Sequence, residues 1–158
     1  MPNSPELFPI FPLGKPLSIL TKLYVGVLTK NLEHLEVERH FSVLILIEKT
    51  KCSQQFLSDK LMVDKASMVR IIDAFVKKNY LKRTVNPNDR REHWMELTSK
   101  AKKIMPDIHN TIKVLNGKAF KGLTKKQIDD FYNCISCIYS NLSKEPANKV
   151  VLHYKKKN

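Results

Sequence analysis

The chain has 158 residues, 42% hydrophobic and 27% charged, which suits one domain with a hydrophobic core. Its 4 glycines argue against a glycine-rich nucleotide loop, and no apolar run reaches the roughly 18 residues of a bilayer span. The 28 Lys and Arg against 15 Asp and Glu, a net charge of +13, favour a polyanionic partner: nucleic acid or an anionic surface. No basic region with an apolar core and a cleavage site opens the sequence, so the expected compartment is the cytoplasm.

Residues 1–15 interleave Pro2, Pro5, Pro9 and Pro12 with Leu7, Phe8, Ile10 and Phe11. The prolines disfavour a helix and the apolar side chains favour burial, which suits an extended arm lying on a second subunit; a poorly ordered leader is the alternative reading. From Leu17 to Glu33, Ile19, Leu20, Leu23, Val27, Leu28 and Leu32 recur at helical spacing. A second helix is expected over Val37–Thr50. Its centre, Phe41 to Ile47, is apolar on all sides, and length and flanking charge decide for a buried helix over a strand.

Ser53 is placed to cap a short helix with Phe56, Leu57 and Leu61 on one face. After a turn at Met62-Val63, Asp64 caps a helix reaching Lys78. Its expected core stripe is Val69, Ile72, Phe75 and Val76, and its free face carries Lys65, Ser67, Met68, Arg70, Lys77 and Lys78. Two helices around a short turn, the second basic outside, form a helix-turn-helix pattern.

Tyr80–Val85 and His93–Leu97 read as strands about the turn Asn86-Pro87-Asn88-Asp89, a hairpin with Arg90 and Arg91 near its tip. Thr98 caps a helix over Ser99–Leu115, interrupted by Pro106 and weakened beyond by Gly117 and Gly122. Thr124 caps a last helix with a wide apolar stripe at Ile128, Phe131, Tyr132, Ile135, Ile138, Tyr139 and Leu142. That stripe exceeds what a small core needs and suits a dimer surface. The fold class expected is mostly α with a small β-hairpin wing: a winged helix-turn-helix core plus a helical dimerisation region. The divisions are 1–35 (arm and first helix), 36–100 (winged region), 101–145 (dimerising helices) and 146–158 (basic tail).

Cys52, Cys134 and Cys137 form no disulfide framework, and with five scattered histidines they show no zinc-ligand spacing. A redox-sensing thiol would need an exposed, low-pKa site. No nucleophile motif occurs, so neither enzyme activity nor a cofactor or metal is expected.

The run from Asp64 to Ile104 resembles the MarR family of bacterial transcriptional regulators. It carries Ser67-Met68-Val69-Arg70-Ile71-Ile72-Asp73 on the helix, Asn79-Tyr80-Leu81-Lys82-Arg83 entering the wing, Asp89-Arg90-Arg91 in it and Leu97-Thr98 at the next helix. Asn79 stands where a glycine is usual, and Asn tolerates the left-handed backbone such a turn needs. Ala101 replaces another usual glycine. The resemblance implies a homodimer joined by its first and last helices, reading a pseudo-palindromic DNA site with two winged domains. More weakly, it implies a small anionic or aromatic effector between the two regions; Tyr24, His34 and His40 lie on the helices that would border it, with ordinary packing or surface the alternative for each.

In that setting Lys65, Ser67, Met68 and Arg70 are the candidate base-edge contacts in the major groove, Met68 to a thymine methyl. Arg90 or Arg91 is the candidate minor-groove finger, with Asp89 bracing the wing. Lys82 and Arg83 are candidate phosphate contacts at its base, and Ser53 and Gln54 at a helix N-terminus are a weaker pair. Two other readings stay open: an architectural DNA-binding protein without a small-molecule signal, and a winged helix used for protein contacts.

Overall fold

The computed structural model describes residues 12–37, 40–87 and 89–146; at Arg90 and Arg91 it describes backbone alone. The proline-rich arm up to residue 11 and the basic tail from residue 147 lie outside the described residues.

Among the described residues, six α-helices and three strands follow in the order α1 (Gly14–Asn31), α2 (Phe41–Lys49), β1 (Cys52–Ser53), α3 (Gln54–Lys60), α4 (Lys65–Lys77), β2 (Leu81–Asn86), β3 (Asp89–Leu97), α5 (Ser99–Ala119), α6 (Lys125–Leu142). A 3-10 turn over Glu33–Leu35 closes α1. The order is the expected winged helix-turn-helix between helical flanks.

Capping chemistry sets most of the helix starts. The side chains of Ser53, Asp64, Thr98 and Thr124 accept the backbone N–H of Phe56, Ser67, Ala101 and Gln127 respectively. Each thereby satisfies a donor that the first helical turn leaves orphaned. Thr124 and Gln127 form a reciprocal capping box. Asn79 takes the left-handed conformation (φ 57°) expected after α4, the Asn amide making this cheaper than for most residues. α2 starts at Phe41 rather than Val37, and α5 continues past Leu115, through Gly117, to Ala119.

The sheet has the order β1-β3-β2, antiparallel throughout. Strand β1, two residues joining Cys52 to Met95 and Ser53 to Trp94, was not foreseen. So short a run carries no alternation to read, and it pairs only because β3 presents an edge beside it.

One core runs through the winged region and under α5. It includes Leu28, Val43, Leu44, Leu57, Met68, Ile72, Leu81, Met105 and Ile108, all at most 2% exposed. Tyr80 is buried too; its hydroxyl donates to the Leu35 carbonyl at 2.7 Å, tying the wing's root to the turn after α1. α6 is different: none of its residues is buried.

Candidate nucleic-acid interface

Helix α4 buries Met68, Ile71, Ile72 and Phe75, an i, i+3, i+4, i+7 stripe. This overturns two expectations. Met68 is 0% exposed and belongs to the core, so it is removed from the groove-facing set. Val69, read as core, is 37% exposed and takes its place on the outer face. Both registers place apolar residues at helical spacing, and packing against α3 and the sheet chose between them.

The outer face of α4 therefore presents Lys65, Ala66, Val69 and Arg70, all exposed, with Ser67 half-buried. Ser67 is partly committed within the helix: its N–H donates to Asp64 Oδ1 at 2.8 Å. Hydrogen bonds from Ser67, side chain first and backbone second, hold the Asp64 carboxyl below its usual range. Asp64 thus stays ionised at neutral pH.

The wing rises beside this face. Leu81 pairs with Leu97, Arg83 with Met95 and Val85 with His93, and the register then breaks. Asn86 follows Val85 directly on β2, whereas β3 inserts Arg90, Arg91 and Glu92 between the partners of those two residues, Asp89 and His93. The two arginines thus fall in a bulge near the hairpin tip, where extra residues bend the strand and re-aim its side chains. Their side chains, and all of Asn88, lie outside the described residues. The Asn86 amide donates to Glu92 Oε2 at 2.6 Å across the bulge.

At the root of the wing, both proposed phosphate contacts already hold protein partners. Lys82 Nζ lies 3.0 Å from Glu96 Oε2, and Thr84 Oγ1 donates to Glu96 Oε1 at 3.1 Å. Those two bonds, Lys82 first, draw the Glu96 carboxyl below its ordinary range. The Arg83 guanidinium donates to Asp73 Oδ1 at 2.5 Å, linking the wing to α4.

The N-terminus of α3 completes the surface. A cleft of about 310 Å³ lies between it, the start of α4 and the wing, lined by Ser53, Gln54, Gln55, Ser58, Lys65, Arg83, Glu92, His93 and Met95. Ser53 is 7% exposed and its hydroxyl accepts from Phe56, so its part is to cap α3 rather than hold a phosphate. Gln54 is half-buried at the cleft wall. Sequence reasoning missed His93 as a wall of this cleft; the bulge, which carries no sequence signature, decides where that strand position faces.

Cys52 is buried and its Sγ donates to the Thr50 carbonyl at 3.1 Å. Burial pushes its thiol up, away from the low-pKa thiolate that a redox sensor needs. No helix among the described residues is long and apolar enough to cross a membrane.

Three layers define the class: a capped two-helix motif, a following hairpin and a basic outer face on the second helix make this a winged helix-turn-helix protein. Residues 38–93 match the MarR family model. Solved structures extend the likeness over most of the chain. A MarR transcriptional regulator from Methanosarcina mazei Go1 is 26% identical, with a TM-score of 0.77 over 84% of this chain and 96% of that one. A mutant MarR from E. coli complexed with operator DNA is 26% identical, with a TM-score of 0.73 over 84% and 97%. A putative MarR family regulator from Listeria monocytogenes complexed with 26mer DNA shares the fold at 17% identity, with a TM-score of 0.78 over 84% and 90%.

Proposed function

We propose that the protein is a sequence-specific, DNA-binding transcriptional regulator of the cytoplasm that acts as a homodimer. The observation that carries this reading is the exposed Lys65–Arg70 face of α4 beside a bulged, arginine-bearing wing. That pairing offers one element to a major groove and a slim one to the adjacent minor groove. The relatives crystallised with DNA support it. In this reading Lys65, Ser67 and Arg70 meet base edges, Arg90 or Arg91 enters the minor groove, Asp89 braces the wing, and Lys82 and Gln54 meet phosphates.

The homodimer reading is supported by two apolar stripes that the single chain leaves open. Leu17, Leu20, Leu23 and Val27 of α1 are 40–64% exposed, and Phe131, Tyr132, Ile135, Tyr139 and Leu142 of α6 are 40–68% exposed. Contiguous apolar surface on that scale marks an interface. Responsiveness to a small anionic or aromatic effector is proposed with it. The supporting feature is polar side chains tying α1 and the turn after it to α5: the Tyr24 hydroxyl donates to Asn116 Oδ1 at 2.6 Å, and His34 Nε2 meets Asp107 at 2.8 Å.

The test is fluorescence anisotropy with a pseudo-palindromic and a scrambled duplex, for wild type and Arg91→Ala, across a salt series. With about 6–8 phosphate contacts, log K falls against log salt with a slope of roughly −5 to −7. Preference for one duplex and a loss in Arg91→Ala support the reading. A steep slope with no preference favours the architectural alternative, and no salt-dependent binding sinks both.

A further inference from the structure

The positive charge of this protein is not concentrated where the reading head is. Residues 40–98, the winged region, hold 11 Lys and Arg against 7 Asp and Glu. Residues 99–126, which form α5 and the elbow into α6, hold 8 lysines against one acid, Asp107.

Local pairing does not cancel that excess. Asp107 is engaged with His34. Lys125 and Lys126 meet Asp129 and Asp130 one turn on, at 2.6 and 2.9 Å. Lys102, Lys103, Lys113, Lys118 and Lys121 are exposed, and among the described residues no ion pair joins any of them to a carboxylate.

The geometry gathers them. Ala101, Met105, Ile108 and Leu115 turn one side of α5 inward. At 100° per residue, Lys103, Asn110, Lys113 and Gly117 share the opposite side, and Lys121 continues it into the elbow. From Lys103 to the end of α5 at Ala119 that face runs about 24 Å at 1.5 Å per residue, with Lys121 in the turn just beyond. Gly117 interrupts it with bare backbone, and a Cβ there would meet nothing within 4 Å, so this chain's own packing does not require glycine at that point. Like charges along a helix repel one another and weaken it, and nothing on this face compensates them.

We propose that the outer face of α5 and the α5–α6 elbow form a second, sequence-independent contact for duplex nucleic acid. α5 begins at the root of the wing, where Thr98 bonds the Asn79 carbonyl, and its far end packs on α1, where Tyr24 meets Asn116. In the proposal the lysines at that far end engage a second duplex rather than the one held by the wing tip and α4. The surface chemistry separates the two classes of partner. Protein interfaces are depleted in lysine, whereas a phosphate backbone is met by flexible point charges of this kind. The proposal rests on the DNA-binding reading only for the first duplex.

A two-duplex capture assay tests it with the full chain. One random-sequence duplex is biotinylated and held on beads, a second carries a fluorophore, and protein bridges them at low salt. For wild type, both protein and fluorescent duplex are retained. For Lys113→Glu/Lys118→Glu/Lys121→Glu, protein stays on the beads and the fluorescent duplex falls at least tenfold, with Lys→Gln at the same sites giving a smaller loss. A circular-dichroism melt confirms that each variant folds. Bridging that survives the triple reversal overturns the proposal, because two winged heads of one dimer would then hold the two duplexes. Wild-type protein retained on the beads with no fluorescent duplex overturns it too. Arg91→Ala separates the two readings: it lowers protein capture if the wing holds the first duplex, and it leaves capture unchanged if the wing reading fails.

Discussion

Helices α4 and α6 are both amphipathic, both begin with a side-chain cap and both carry apolar residues at i, i+3 and i+4 spacing, yet they end in different environments. On α4, Met68, Ile71, Ile72 and Phe75 are at most 9% exposed, sealed by α3, β2 and the core below. On α6, Phe131, Ile135, Tyr139 and Leu142 stay at least 40% exposed, while Phe120, Phe131 and Tyr132 meet edge to face near the elbow. The winged region closes a core within one chain. Helix α6 presents its apolar face outward, and the single chain leaves that face uncovered. Apolar periodicity therefore predicts that a helix will bury a face, without saying against what.

The largest effect comes from testing that contrast directly. Leu44→Ala, at a fully buried site, is expected to cost about 2–5 kcal/mol of unfolding free energy, read by urea denaturation. Ile135→Asp on α6 is expected to leave the helical circular-dichroism signal intact while sedimentation equilibrium shifts to the monomer mass. A variant that keeps its dimer mass, or a wild type that is already monomeric, breaks the comparison.

An intermediate effect belongs to the joint between the two regions. Thr98 both caps α5, accepting from Ala101, and donates to the Asn79 carbonyl at 2.7 Å. Replacing it with Ala is expected to remove about 1–2 kcal/mol by losing the cap and the link to the α4–β2 turn. A change below a few tenths of a kcal/mol in the same urea experiment would mean that solvent replaces both bonds.

The smallest effect sharpens what the wing's root does. Arg83 and Asp73 are part-exposed, so a double-mutant cycle is expected to give a coupling of about 0.2–1 kcal/mol. If Arg83 acts by holding the wing to α4, Arg83→Ala and Asp73→Ala weaken DNA binding together and leave the salt slope in place. A slope shallower by roughly 0.9 in Arg83→Ala alone would instead identify a phosphate contact.

Most of the architecture was written locally. Ser53, Asp64, Thr98 and Thr124 announce their helices because a cap needs only its own next three residues, and Asn79 marks its turn for the same reason. The basic positions Lys65 and Arg70 were legible too, since charged side chains remain at the surface in almost any fold. Met68 and Val69 were not. Adjacent apolar residues on a helix lie 100° apart, and only the position of α3 and the sheet determines which one turns inward. The pairing of Cys52 with Met95, the bulge that displaces Arg90 and Arg91, and the Arg83–Asp73 contact are likewise beyond local reading. Each joins residues whose proximity depends on how the whole chain packs. The sequence alone thus determined where helices begin, which faces are charged and that a hairpin follows the second helix of the motif. The tertiary structure decided which apolar face is core and which is left open, because only packing brings distant elements against one of two adjacent apolar positions.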